Sequence, residues 1–151
     1  MAPRTVSATR DIPATAEAIF DVLADPSKHP AIDGSGTVQD LRVPVQRLAL
    51  GSTFSMSMSH VVHYATSNHV VEFEEGRRIA WHHVSRFLWR YELTPQDGGT
   101  KVVETFDYSV PWGALIIPLG WPERNRSAME RTLENLEALV TERGADPAPG
   151  P

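Results

Sequence analysis

Between Arg77 and Tyr108 the chain reads RRIAWHHVSRFLWRYELTPQDGGTKVVETFDY, three alternating segments in succession. Phe87, Trp89, Tyr91 and Leu93, then Val102, Phe106 and Tyr108, fall on one set of alternate positions. Arg90, Glu92, Lys101 and Asp107 occupy the opposite set. Successive side chains of a strand point to opposite faces, so this period of two predicts antiparallel strands with one covered and one wet face. Pro95-Gln96-Asp97-Gly98-Gly99 supplies the turn chemistry between the last two. A covered face so rich in large aromatics lines a wide concave space more readily than a flat, tight core. The pattern therefore points to a ligand pocket.

The rest of the composition narrows the class of partner. With 151 residues the chain is expected to form one domain over residues 1–144, followed by a disordered tail at 145–151. A net charge of -5 opposes binding to a phosphate backbone, which needs a basic face, so no nucleic acid is expected. The absence of cysteine excludes disulfides, thiolate nucleophiles and Cys-ligated zinc, and fits a reducing compartment. The N-terminal MAPRTVSATRDI carries no apolar run resembling a signal peptide, and Ala114 to Leu119 is too short to span a bilayer. A soluble, cytoplasmic protein without stable membrane insertion is the expectation.

Along the chain, Thr5 to Ile12 reads as a strand and Thr15 as the N-cap of a helix carrying Ile19, Phe20 and Leu23. Asp25-Pro26 opens a second short helix that His29-Pro30 is expected to break early. Further strands are predicted from about Thr37 to Val43, Gly51 to His60, Val61 to Phe73 and Arg78 to Val84, before the two that flank PQDGG. Glu123 to Arg143 is one long amphipathic helix, with Met129, Leu133, Leu136 and Val140 on one side and Gly144 ending it. One closing helix is the natural cover for the concave side of a curved seven-stranded antiparallel sheet, an α+β arrangement.

Local phrases carry a resemblance over roughly residues 4–143. DIPATAEAIFDVLADPSKHPAID resembles the opening strand and double helix of the START/polyketide-cyclase (SRPBCC) superfamily, whose fold is the helix grip. VVEFEEGRRIAWHH, WRYELTPQDGGTKVVETFDY and the closing helix resemble its later strands and lid helix. The resemblance implies an internal cavity for an apolar molecule; the superfamily also holds aromatase/cyclases. Where its members often place tryptophans after the second helix, this chain has His29 and Ile32, which alters one end of the pocket.

Within that pocket the strand parities select candidate ligand contacts. Phe54, Met56 and Met58 alternate with serines, and methionine suits a pocket that accepts varied apolar guests. His69, Val71 and Phe73 are expected to share the covered face, followed by Ile79, Trp81 and His83. A strict two-residue turn at Ser85-Arg86 would instead send His82 inward. Trp89, Tyr91, Val102, Glu104, Phe106 and Tyr108 complete the sheet side, with Met129 and Leu133 on the helix. If PQDGG pairs Leu93 with Val102, then Tyr91 faces Glu104 and Trp89 faces Phe106. A carboxylate among aromatics is desolvated and its pKa rises, so Glu104, His83 and Tyr91 are the candidate proton-transfer groups. The alternatives for Glu104 are a bulge that turns it outward or a purely structural bond to Tyr91.

His60, His63, His69, His82 and His83 lie on successive strands, yet no compact metal-binding spacing joins them, and neither metal nor cofactor is expected. The functional expectation is a binder of an aromatic or lipid-like molecule. The alternatives are a cyclase/dehydratase-like enzyme using the same cavity, and an interaction protein using PWGALIIPLGWP around Trp112–Trp121. That segment also suits a lid, simple packing, or a homodimer contact.

Overall fold

A computed structural model describes residues 4–33, 38–41, 47–59, 63–82 and 86–145. The order is β1 (Thr5–Ile12), α1 (Ala16–Leu23), a 3-10 turn (Pro26–Lys28), α2 (His29–Ile32), β2 (Val38–Leu41), β3 (Thr53–Ser59) and β4 (His63–Glu74). Then follow β5 (Arg78–His82), β6 (Leu88–Gln96), β7 (Gly99–Asp107), a 3-10 turn (Gly113–Ile116) and α3 (Trp121–Ala145). The seven strands make one antiparallel sheet in the order β1-β7-β6-β5-β4-β3-β2. A meander from β2 to β7 is thus completed by β1 at the far edge, and α3 packs against β1 and β7.

Local chemistry sets these boundaries. The Thr15 hydroxyl accepts the Ala18 amide at 3.1 Å, and Asp25 accepts the Ser27 amide at 3.0 Å, so both predicted caps are in place. His29-Pro30 does not simply end the second helix. The 3-10 turn stops at Lys28 and Pro30 enters the first turn of α2, where its missing N–H has no intrahelical partner to lose. In the β6–β7 hairpin Gln96 pairs with Gly99 around Asp97-Gly98, with Gly98 at φ 81°. A Cβ on Gly99 would stand 2.1 Å from the Ile12 carbonyl oxygen, so only glycine lets the hairpin close against the end of β1. The register that follows sets Leu93 opposite Val102, Tyr91 opposite Glu104 and Trp89 opposite Phe106.

Ile19, Phe20 and Leu23 of α1 are fully buried, and Met129, Leu133, Leu136 and Val140 of α3 are at most 5% exposed. They cover Val6, Ala8 and Ile12 of β1 and Val102 and Phe106 of β7 in one core. Burying each large apolar side chain contributes about 1.5–3 kcal/mol, which is what holds α3 on the sheet. The helix runs two residues beyond its expected limits at each end.

One parity differs from expectation. Val70 pairs with Trp81 but Glu72 with Ala80, so β4 carries an extra residue, Val71, in a bulge. Before the bulge Asn68 and Val70 are buried, and His69 lies exposed with its Nδ1 2.9 Å from the Thr53 hydroxyl. Val71 itself is 40% exposed. Beyond the bulge Phe73 turns inward, its ring 5.4 Å from that of Phe20. His69 and Val71 therefore leave the candidate pocket, and Phe73 stays.

Candidate functional site

Tyr91 and Glu104 form the floor of the covered face. They stand opposite each other on β6 and β7, and on the other side of Glu104 the facing residue of β1 is the small Ala8. Glu104 is 3% exposed. Its carboxyl group is hydrogen-bonded by Tyr91, while Oε1 is buried without a partner. Burial pushes the Glu104 pKa up to about 8, the Tyr91 bond pulls it back and the negative charge of Asp33 raises it further. The same burial, with the Glu104 charge and hydrogen bond, holds the Tyr91 hydroxyl well above its usual range. At neutral pH the pair is a carboxylic acid and a phenol, both uncharged.

Aromatic rings surround this pair. Trp81 packs 5.1 Å from His29, 5.5 Å from Phe54 and 5.7 Å from Tyr91. Trp89 lies 4.6 Å from Phe106, which also meets Phe87 and Tyr108, each at 5.6 Å. Ile79, Tyr91 and Leu93 share that face and are buried, yet Trp81 and Trp89 are only half-buried. Met129 and Leu133 of α3 belong to the same core, above the sheet.

His29 belongs to the site and was not among the expected contacts. It is 7% exposed, stacks on Trp81 with an interplanar angle of 21°, and its Nε2 donates to the Leu23 carbonyl oxygen at 2.9 Å. Burial lowers its pKa, so the ring is a neutral aromatic wall. Ile32, one helical turn on, is buried at 3%. The signal was present in the sequence: these two residues stand at i and i+3 of a turn with one inward side.

Other expected contacts fall elsewhere. His82 pairs with His69, the rings 5.8 Å apart, so Ile79 and Trp81 are the inward residues of β5; His83 lies outside the described residues. The backbones of Met56 and Met58 lie in β3 opposite Thr66 and Tyr64, and their side chains lie outside the described part. Among the described residues no group of three His, Asp or Glu comes together to hold a metal. A shallow groove of about 440 Å³ between Pro13–Glu17 and the Pro95–Gly99 turn contains none of the candidate residues. In the 112–121 segment Gly113 and Ile116 are buried, while Trp112, Leu115, Ile117, Leu119 and Trp121 are 40–72% exposed. No helix among the described residues is long and apolar enough to cross a membrane.

Residues 3–141 match the family model described as polyketide cyclase/dehydrase and lipid transport. The chain belongs to this family. It is 34% identical over 145 residues to the uncharacterized protein Rv0088 of Mycobacterium tuberculosis, covering 89% of this chain and 63% of that protein. The chain thus spans less than two thirds of the length of that relative. Among solved structures, the AHSA1-like protein of Aeromonas hydrophila is similar with a TM-score of 0.72 at 18% identity, over 95% of this chain and 96% of that one. Protein NE0264 of Nitrosomonas europaea gives 0.71 at 18% identity, over 93% and 96%. These likenesses establish the helix-grip fold.

Proposed function

We propose that the chain binds an aromatic or lipid-like small molecule between the sheet and α3. The observation that carries this reading is the orphaned Glu104 Oε1, set on a face of aromatic rings that includes the partly buried tryptophans Trp81 and Trp89. Buried polar atoms in native proteins nearly always have partners, and one left over in an aromatic interior marks a place for a guest. Apolar contact with Trp81, Trp89, Phe106 and Leu133 supplies affinity, and Tyr91 with Glu104 orients the polar end. Native mass spectrometry of the protein purified from its own host tests the reading. A bound species of small-molecule mass, lost on denaturation, is expected. Bare chain alone, together with no uptake of an apolar dye, overturns it.

A second reading is an enzyme resembling the polyketide cyclases, with proton transfer during an aldol cyclisation. It is favoured by the hydrogen-bonded Tyr91–Glu104 pair, two proton-bearing groups in reach of each other in a water-poor interior. Under this reading Glu104→Gln abolishes turnover of a poly-β-ketone while dye binding persists. Turnover that survives the substitution rules it out.

A further inference from the structure

The polar end of the guest is legible in the hydrogen-bond inventory of Glu104. Tyr91 has one hydroxyl proton, and that bond engages the carboxyl oxygen other than Oε1. Oε1 is then either the bearer of an acid proton in want of an acceptor, or half of a buried carboxylate in want of a cation. The groups around it decide between these. The facing residue on β1 is Ala8, and the next inward position, Arg10, is held by Glu137 of α3 at 3.0 Å. The residues that α3 buries nearby, Met129, Leu133 and Leu136, do not titrate. His29 on α2 is tied to the Leu23 carbonyl, and the charge that weighs on Glu104 is the like charge of Asp33 beyond α2. Among the described groups only the Tyr91 hydroxyl favours an ionised carboxylate; burial and the Asp33 charge oppose it and no cation faces it, so the proton sits on Glu104.

Resting on the pocket reading above, we propose that the guest presents a carbonyl oxygen to Glu104, whose Oε1 donates a hydrogen bond to it. The site thereby selects aromatic or conjugated ketones over hydrocarbons and amines of the same shape. A buried donor without an acceptor is costly, so a guest that satisfies it gains on one that does not. The flat walls of Trp81, Trp89 and Phe106 suit a planar guest, in which a conjugated carbonyl lies in the ring plane. A pKa of about 8 keeps the donor protonated through neutral pH.

The test uses three probes of one outline, 2-acetylnaphthalene, 2-ethylnaphthalene and 1-(2-naphthyl)ethylamine, titrated calorimetrically into the full chain at pH 6, 7.5 and 9. The ketone is expected to bind about tenfold more tightly than the hydrocarbon at pH 6, the value of one net hydrogen bond from a strong donor. That preference should shrink once the pH passes about 8, because only the protonated acid donates. Glu104→Gln, which can still donate, keeps a ketone preference that no longer varies with pH. Glu104→Leu loses the preference and retains the hydrocarbon. Equal affinities of ketone and hydrocarbon at every pH overturn the carbonyl assignment while leaving the pocket reading standing. Tightest binding of the amine, strengthening above pH 8, also overturns it and marks Glu104 as a counter-ion. Failure of all three probes to bind overturns the pocket and the proposal together.

Discussion

Glu72 and Glu104 are glutamates on opposite faces of one sheet, and they behave as different chemical groups. Glu72 lies on the outer face of β4, where Arg90 of β6 reaches it across β5 with Nε at 2.9 Å and Nη2 at 2.6 Å. The residue between them is Ala80, fully buried, small enough for the two long side chains to meet over it. That forked bond holds the Glu72 carboxyl below its ordinary value, although burial opposes it. Glu104 has Tyr91 in place of an arginine, an adjacent like charge and deeper burial, and its pKa moves the other way. Residue type did not decide the protonation state; burial did so for Glu104, and the arginine partner for Glu72.

The comparison can be attacked from the inner face first. Phe106→Ala empties a site 1% exposed that touches three other rings, and should cost about 3–5 kcal/mol in urea unfolding. A loss below 1 kcal/mol would mean the inner face is not packed as described.

Next comes Glu104→Gln. The native state holds its proton at about 8 against an ordinary 4.5, so the folded form binds more protons than the unfolded form between those values. Stability is therefore fully present below about pH 4.5 and is lost as the pH rises to about 8, by on the order of a few kcal/mol. The variant should lack this contribution and exceed the parent at pH 9. Stability curves of parent and variant that run parallel from pH 5 to pH 9 would refute the neutral-acid description.

His29→Phe retains the stack on Trp81 and removes the bond to Leu23, a cost of about 1 kcal/mol at pH 8. Because burial lowers the His29 pKa, the parent loses stability as the pH falls below the ordinary histidine value of 6.5, and the variant should not. Their thermal midpoints should converge on acidification.

The smallest effect is expected outside. Glu72→Gln should cost about 0.5–1 kcal/mol at low salt, since both partners are partly solvated, and less as salt is added. Its sign is opposite to that of Glu104: the contribution is present above the ordinary carboxylate pKa of 4.5 and disappears on acidification. A cost equal to that of Phe106→Ala would erase the distinction between the two faces.

What could be read in advance follows from how local each determinant is. The pairing of Tyr91 with Glu104 was legible because a two-residue turn at Asp97-Gly98 fixes every register beyond it. The parity of β4 was not, because a bulge at Val71 leaves no mark in a run of Val, Val, Glu and Phe that suits either face. The sequence marks His29 as altering one end of the pocket but not as a ligand contact, for a related reason. Its burial depends on Trp81, far away in sequence, and a lone histidine in a proline-punctuated turn carries no period. The direction of the Glu104 shift was foreseeable from its aromatic neighbours, but the unpartnered oxygen needed coordinates.

The position of β1 has a consequence for how the molecule assembles. Strands β3 to β7 meet their neighbours through short connections, whereas β1 finds β7 only when Thr5 reaches Asp107. Contacts so distant along the chain form late, so the meander should be made before β1 docks and α3 settles on it. Refolding rates should respond strongly to substitutions in the β6–β7 hairpin and weakly to those in β1. The inner face of the sheet would then be covered last, while the protein is still closing.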